Sequence, residues 1–262
     1  MKSTFNIILL FYLIHPCFSQ NTGEFKVSFE FTRNQYAMRQ LNNFLLDTLY
    51  NGTTNGYFKS PPTNEINSGN NFGLSLLYRP LKFQTIGIYG GYQVGKLNRV
   101  AQFETIIDPF TAEKETINGQ LTYTASSILT GIATETTIDE LIFNNSDRFW
   151  KKASLIIAMQ GGLGYSIFRD KSVWSGDTSI IQIQNYNYNS IDFHGKISIN
   201  FEYELSKNPL LTSLGVRCGY QFLKTKNIKN DAGETIINTN GQVKMNLDFS
   251  GAFLGVYLNI GK

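Results

Sequence analysis

From Ala153 to Phe168 the chain alternates: Leu155, Ile157, Met159, Leu163, Tyr165 and Ile167 share one parity, and Ser154, Ala158, Gln160, Gly162, Gly164 and Ser166 the other. A period of two belongs to an extended strand with one apolar and one small polar face; a helix repeats its face every three to four residues instead. The stretch is oily enough for a membrane yet carries Gly161, Gly162, Gly164 and Gln160. A strand that meets hydrocarbon on one side only accommodates both properties.

The N-terminus says how such a strand could reach a membrane. Met1 and Lys2 start the chain, Ile7 to Ile14 forms an apolar run, and Cys17 and Ser19 put small residues ahead of Gln20. That arrangement predicts a cleaved secretory signal over residues 1–19 and a mature domain over 20–262. Acylation at Cys17 as a lipoprotein would need a small residue before it, where Pro16 stands. Without the signal, Cys218 is the only cysteine, so neither an intramolecular disulfide nor a thiolate metal cluster can form. No later segment offers the ~20 uninterrupted apolar residues of a spanning helix. An exported chain can still cross a membrane as a closed barrel, because closure pairs every backbone N–H and C=O between strands.

Eight segments fit the barrel-strand template: Glu24–Arg33, Asn71–Arg79, Phe83–Gly95, Tyr123–Ile138, Ala153–Phe168, Ser190–Leu205, Thr212–Lys224 and Lys244–Gly261. In the sixth, Ile191, Phe193, Ile197, Ile199, Phe201 and Tyr203 alternate with Asp192, His194, Lys196, Ser198, Asn200 and Glu202. The last changes apolar parity near Gly251, from Leu247 and Phe249 to Leu254, Val256, Leu258 and Ile260, which predicts a β-bulge there. Connections alternate in length. Polar stretches of about Asn34–Asn70, Lys96–Thr122, Arg169–Asn189 and Thr225–Val243 predict four long outer loops, whereas "RPLK" at Arg79–Lys82 and "SKNP" at Ser206–Pro209 predict tight turns. The connection Asp139–Lys152 is intermediate. The expected fold is all-β, an eight-stranded antiparallel up-and-down transmembrane barrel with both termini on the short-turn side. Within the first loop, Met38, Leu41, Leu45 and Leu49 are spaced for a helix over Gln35–Tyr50, lying over the barrel rim or docking a partner.

Alternation alone also suits a soluble exported barrel or sandwich with its apolar face inward. Against this stand the strand lengths, the Gly, Ser and charge on the other face, and aromatics near strand ends, as at Phe25, Tyr78, Phe83, Tyr92, Phe149, Trp150, Tyr165, Tyr203, Tyr220 and Phe222. Such rings favour membrane–water interfaces. Gly91-Tyr92-Gln93, Gly164-Tyr165-Ser166 and Gly219-Tyr220-Gln221 repeat one arrangement toward the outer ends of three outgoing strands. There the tyrosines would face lipid, and the glycines would leave lumen room for Tyr89 and Arg217.

Through "GGLGYSIF" at Gly161–Phe168, "GVRCGYQF" at Gly215–Phe222 and "FSGAFLGVYLNIGK" at Phe249–Lys262, the chain resembles the small eight-stranded outer-membrane β-barrel family, which includes OmpX and the OmpA transmembrane domain. The resemblance implies residence in the outer membrane of a diderm bacterium. Members commonly end in an aromatic residue, whereas this sequence ends in Lys262; no room follows for a peptidoglycan-binding domain, so no cell-wall tether is expected.

Chemistry is sparse. The net charge of +3 is spread without a basic stripe, which excludes nucleic acid as a partner. No His/Cys cluster suits a metal, and no cofactor motif is present. His194 with Ser190 or Ser198 is the sole candidate for a barrel-embedded acyl transferase or lipase, and no enzyme activity is expected from it. The lumen parity carries both signs of charge: Lys26, Glu30, Arg79, Glu135, Asp192, His194, Lys196, Glu202 and Arg217. Eight strands leave an interior that side chains just fill, so these residues form either a salt-bridged plug or a narrow polar conduit. Cys218 falls on the lipid face. With the wall occupied, function is expected in the loops: a structural or adhesive surface protein, or an accessory subunit of a larger assembly. Its expected surroundings are outer-membrane lipid and lipopolysaccharide, with a possible protein partner at the loops. A small polar-solute pore and a lipid-modifying enzyme are the alternatives.

Overall fold

A computed structural model describes residues 24–51, 65–81, 83–108, 113–138, 152–176, 180–205, 212–238, 241–242 and 245–261. In chain order the elements are β1 (Glu24–Gln35), α1 (Arg39–Asn51), β2 (Ser68–Leu81), β3 (Gln84–Asp108), β4 (Glu113–Thr137), β5 (Ala153–Ser175), β6 (Ile180–Glu204), β7 (Ser213–Leu223), a two-residue ribbon β8 (Ile237–Asn238) and β9 (Gly241–Gln242), and β10 (Gly251–Ile260). The other eight strands close into an antiparallel barrel in the order β1-β10-β7-β6-β5-β4-β3-β2. Each of the eight sequence segments falls on one of its strands. The signal, the "SKNP" turn, Phe149, Trp150 and most of Asp139–Lys152 lie outside the described residues.

Register fixes the shape. Leu163 pairs Thr130, and following partners around the ring through Gly90, Leu74, Phe29, Leu258, Leu214 and Tyr203 returns to β5 at Ala153, ten residues lower. That stagger over eight strands tilts them by about 40° and gives a barrel radius of about 8 Å. Side chains fill such an interior.

Parity sorts the faces as the alternation requires. Phe193, Leu254 and Ile88 are 83%, 65% and 63% exposed on the exterior, while Thr32, Gln93, Ser166 and Asn200 on the opposite parity are fully buried. Aromatic pairs sit at both ends of the exterior apolar belt, Phe25 with Tyr78 and Phe31 with Phe72, each at 5.0 Å between centroids. Cys218 is exposed on the same outer face.

Two expectations fail. Lys96–Thr122 and Arg169–Asn189 are strand for most of their length: β3 and β4 pair as far as Asp108↔Glu113, and β5 and β6 as far as Ser175↔Ile180. Above the membrane both faces of a strand meet polar surroundings, so a one-sided apolar template passes over them. Nor is there a bulge at Gly251, since β10 keeps unbroken register with β1 and β7. Leu247, Phe249, Phe253, Tyr257 and Asn259 are all buried on the inward parity. What changes near Gly251 is the environment: the barrel mouth is apolar and the lower lumen polar.

The mouth is closed by α1 and the segment before β10. Leu41 and Leu45 on one face of α1, with Met38 just before it, are buried in one cluster with Leu247, Phe249 and the inner-wall residues Leu97, Tyr123 and Phe168. Asn42 Nδ2 donates to Asn67 Oδ1 at 3.1 Å while its Oδ1 accepts the Ile66 N–H at 3.0 Å, fastening the returning chain. Arg99 Nη1 donates to the Leu45 carbonyl at 3.2 Å, tying the helix to β3.

Candidate functional site

Strand parity brings six lumen charges into one chain of contacts. Lys26 Nζ lies 2.7 Å from Glu135 and 3.7 Å from Glu202; Arg217 Nη2 lies 3.8 Å from Glu135; Arg217 also pairs Glu30, whose other oxygen meets Lys196 Nζ at 2.6 Å. The order Glu202–Lys26–Glu135–Arg217–Glu30–Lys196 alternates in sign and is neutral in sum. Coulomb attraction in a water-poor interior is strong, but desolvation of each ion is of similar size, so such groups persist only when every member is paired. They are. The Glu30, Lys196 and Arg217 side chains are 5%, 3% and 3% exposed.

Neutral neighbours fix the geometry. Glu202 accepts from Ser213 Oγ at 2.7 Å, Asn259 Nδ2 at 2.8 Å and Tyr257 Oη at 3.1 Å. The Arg217 guanidinium and the Lys196 ammonium each lie 4.4 Å from a ring centroid, of Tyr257 and Phe253 respectively, adding cation–π attraction. Sequence reasoning did not single out Tyr257, Phe253 or Asn259. The signal was the unbroken odd parity from Leu247 to Asn259, hidden by treating every apolar residue as lipid-facing.

The remaining residues of the lumen set stand apart. Arg79 pairs Glu24 at 3.2 Å with both side chains more than a third exposed, at the rim of a ≈ 360 Å³ cavity in the short-turn mouth. Asp192 accepts from Ser190 Oγ and from the Lys226 N–H. His194 is hydrogen-bonded to the Tyr89 hydroxyl, ring edge to ring face. Ser190 thus turns to Asp192 while His194 turns to Tyr89, an arrangement unlike a nucleophile with its base. The glycines serve other neighbours than those expected: Gly164 leaves space for Leu129 and Leu223, and Gly91 lies against Phe72, Asn71 and Leu129. Gly215 lies under the Tyr257 ring. Among the described residues no group of three or more His, Cys, Asp or Glu is placed to hold a metal ion.

Above the belt, Asp170 faces inward on β5 beside Tyr123 and Tyr188. Burial pushes its carboxyl up to about 6. Tyr123 is raised by burial and by the Asp170 charge, with the Arg99 guanidinium 5.9 Å from its ring centroid opposing.

No family model and no curated protein sequence matches the chain. Among solved structures, it is similar to the attachment invasion locus protein Ail of Yersinia pestis in complex with the heparin analogue sucrose octasulfate, at 12% identity and TM-score 0.35 over 92% of this chain and 100% of that one. A second Ail structure gives 13% identity and TM-score 0.29 over 92% and 100%. The outer membrane protease OmpT of Escherichia coli gives 10% identity and TM-score 0.32 over 94% and 97%. Strand pairing within the chain carries the fold assignment.

Proposed function

We propose that the chain is a sealed outer-membrane barrel of a diderm bacterium, exported by a signal over residues 1–19. In this reading it acts through its outer hairpins as a structural or adhesive surface protein or an accessory subunit. The observation that carries the reading is closure in series: the alternating ion ladder fills the lower lumen, and the apolar plug of α1 and Leu247–Phe249 covers the mouth above it. An ion would have to displace a buried salt bridge and then cross hydrocarbon-like packing. Recognition is left to β3–β6 beyond the belt, where β4 carries Thr116, Thr122 and Tyr123 and β6 alternates Asn and Tyr from Asn185 to Asn189, a surface that suits protein or glycan contact. Outer-membrane lipid and lipopolysaccharide would surround the exterior.

Planar-bilayer recording tests the seal: the refolded chain should add no steady conductance. Ohmic openings on the scale of a water-filled pore would instead support the narrow conduit, for which the cavity at the short-turn mouth is the favouring feature. No catalytic role is assigned to His194, because its hydrogen bond goes to Tyr89. His194→Ala should leave outer-membrane lipid acylation unchanged; a loss of acylation would revive the enzyme reading.

A further inference from the structure

At the short-turn end the lumen opens into a cavity of ≈ 360 Å³, a volume within the range of small-molecule sites. Its floor is an ion pair lying across the lumen, Lys26 reaching in from β1 and Glu202 from β6 to a separation of 3.7 Å. Both ions are held from within: Lys26 by Glu135 at 2.7 Å, Glu202 by Ser213, Asn259 and Tyr257. Arg217, Glu30 and Lys196 stand behind that floor. The cavity therefore ends blind.

The lining limits what such a cavity can hold. Among the described residues it has three cations, Lys26, Arg79 and Lys152, and three acids, Glu24, Glu202 and Glu204; the rest is Ser, Thr and Gly, with no aromatic or aliphatic side chain. A sum of zero concentrates neither sign of ion, and without aromatic faces a quaternary ammonium has nothing to stack on. Separated signs still orient a dipole. Arg79 is on β2, the strand next to Lys26, and Glu204 lies two residues from Glu202 on the same face of β6. β2 and β6 are four steps apart in the closed ring, so Arg79 and Glu204 occupy opposite walls. Across a barrel of about 8 Å radius, side chains reaching in from both walls leave a gap that one or two amino acid residues span. Both end groups are available. Arg79 pairs Glu24 at 3.2 Å in reach of water, and a guanidinium with five N–H donors keeps that partner while taking a second carboxylate. Glu204 is exposed to the cavity and has no ion-pair partner among the described residues.

We propose that this cavity is a binding site for a dipeptide zwitterion from the compartment opposite the hairpins. The ligand lies antiparallel to the floor pair, its carboxylate toward Arg79 and Lys26 and its ammonium toward Glu204 and Glu202. Arg79 offers a planar pair of N–H donors to the carboxylate, while Glu204 and the wall hydroxyls accept from the ammonium. The floor stays shut beneath it, because Lys26 and Glu202 keep their own partners. This role goes beyond the surface role proposed above and uses the other end of the barrel, so either can fail alone.

The test uses the full mature chain refolded in an uncharged maltoside detergent, with alanyl-alanine as the probe, read by isothermal titration and by the amide resonances of the isotope-labelled protein. Alanyl-alanine should bind in the millimolar range and shift resonances at Thr85, Ser154 and Thr212, leaving those of the outer hairpins in place. Acetylating its amine or amidating its carboxylate should each weaken binding roughly tenfold or more, the worth of one charge-assisted end. Glu204→Gln should lose the discrimination against the acetylated peptide, and Arg79→Gln that against the amide; both positions are in reach of water, and folded gel mobility checks that both variants fold. Lys224→Gln, at the far mouth, should bind as wild type does. No shift at millimolar peptide, equal binding of the capped peptides, or unchanged discrimination in either variant would overturn the proposal. Equal shifts from sodium acetate alone would do so too, since they would reduce the site to its cations.

Discussion

At the scale of single residues, the lumen separates charges that hold the barrel from charges that merely decorate it. Glu30 joins Lys196 and Arg217, all nearly inaccessible. Glu30→Gln strands two buried cations and should cost about 3–5 kcal/mol, read as a lower urea midpoint for loss of folded gel mobility. Arg79→Gln removes an exposed pair with Glu24 and should cost less than about 1 kcal/mol. The inward parity of these residues is visible in the sequence, because every second position is forced to one face. Their partners are not: Lys26 and Glu135 are 109 residues apart, and only the ten-residue stagger brings them together. Asp170 supplies a pH test above the membrane. Its folded pKa of about 6 exceeds its ordinary 3.8, so the folded state holds the proton more tightly. Stability from this group is fully present below about pH 4 and is lost as pH rises past about 6. Tyr123 and Tyr186 stand opposite it on the neighbouring strands and Tyr188 lies beside it; burial raises Tyr123 and Tyr188, so both stay neutral throughout that window. Asp170→Asn should remove the pH dependence of amide protection in the plug, taken relative to intrinsic exchange rates, worth about 1–2 kcal/mol once partial exposure is discounted.

At the scale of elements, strand cores were legible wherever one face meets lipid, and hairpin extensions were not. In Arg169–Asn189 the residues on both faces are largely polar, so hydrophobic alternation vanishes although backbone pairing continues. The helix was legible for the opposite reason: Met38, Leu41 and Leu45 repeat at helical spacing amid polar neighbours, and all three are buried. The last strand misled because it runs from an apolar plug into a polar lumen without leaving the inward face. If the plug is an element resting on a barrel that closes without it, the two should unfold separately. Leu41→Asp buries a charge with no partner in the core cluster and should detach α1. Limited proteolysis should then cut within residues 35–67, while the folded gel mobility of the barrel and its melting temperature change little. Loss of the barrel along with the plug would show instead that the two form one cooperative unit.

At the scale of the whole molecule, the proposed function puts closure and recognition at different heights of the same strands. The ring needs only the segments that pair with the short strands β1, β2, β7 and β10, of 12, 14, 11 and 10 residues; β3–β6, at 23 to 25 residues, continue beyond it. Backbone pairing in the ring has no edge, so its stability is independent of what stands above it. The extension has edges: β3 loses its β2 partner beyond Val94, and β6 has β7 as a partner only from His194 onward. Trimming should therefore divide the protein at that level. Replacing 100–120 by a tight turn between Arg99 and Leu121, and 173–183 by one between Ser172 and Gln184, joins residues that already face each other in the ladder. The shortened chain should fold and insert with the heat-dependent gel mobility of the full one, since the ladder and α1 lie below the cuts and Trp174, only partly buried, is the one side chain packed on the core cluster that is removed. Attachment of expressing cells to protein or glycan surfaces should fall to background. Retained attachment would move the recognition surface down to α1 and the β7–β10 segment, and failure to insert would make the hairpins part of the folding unit.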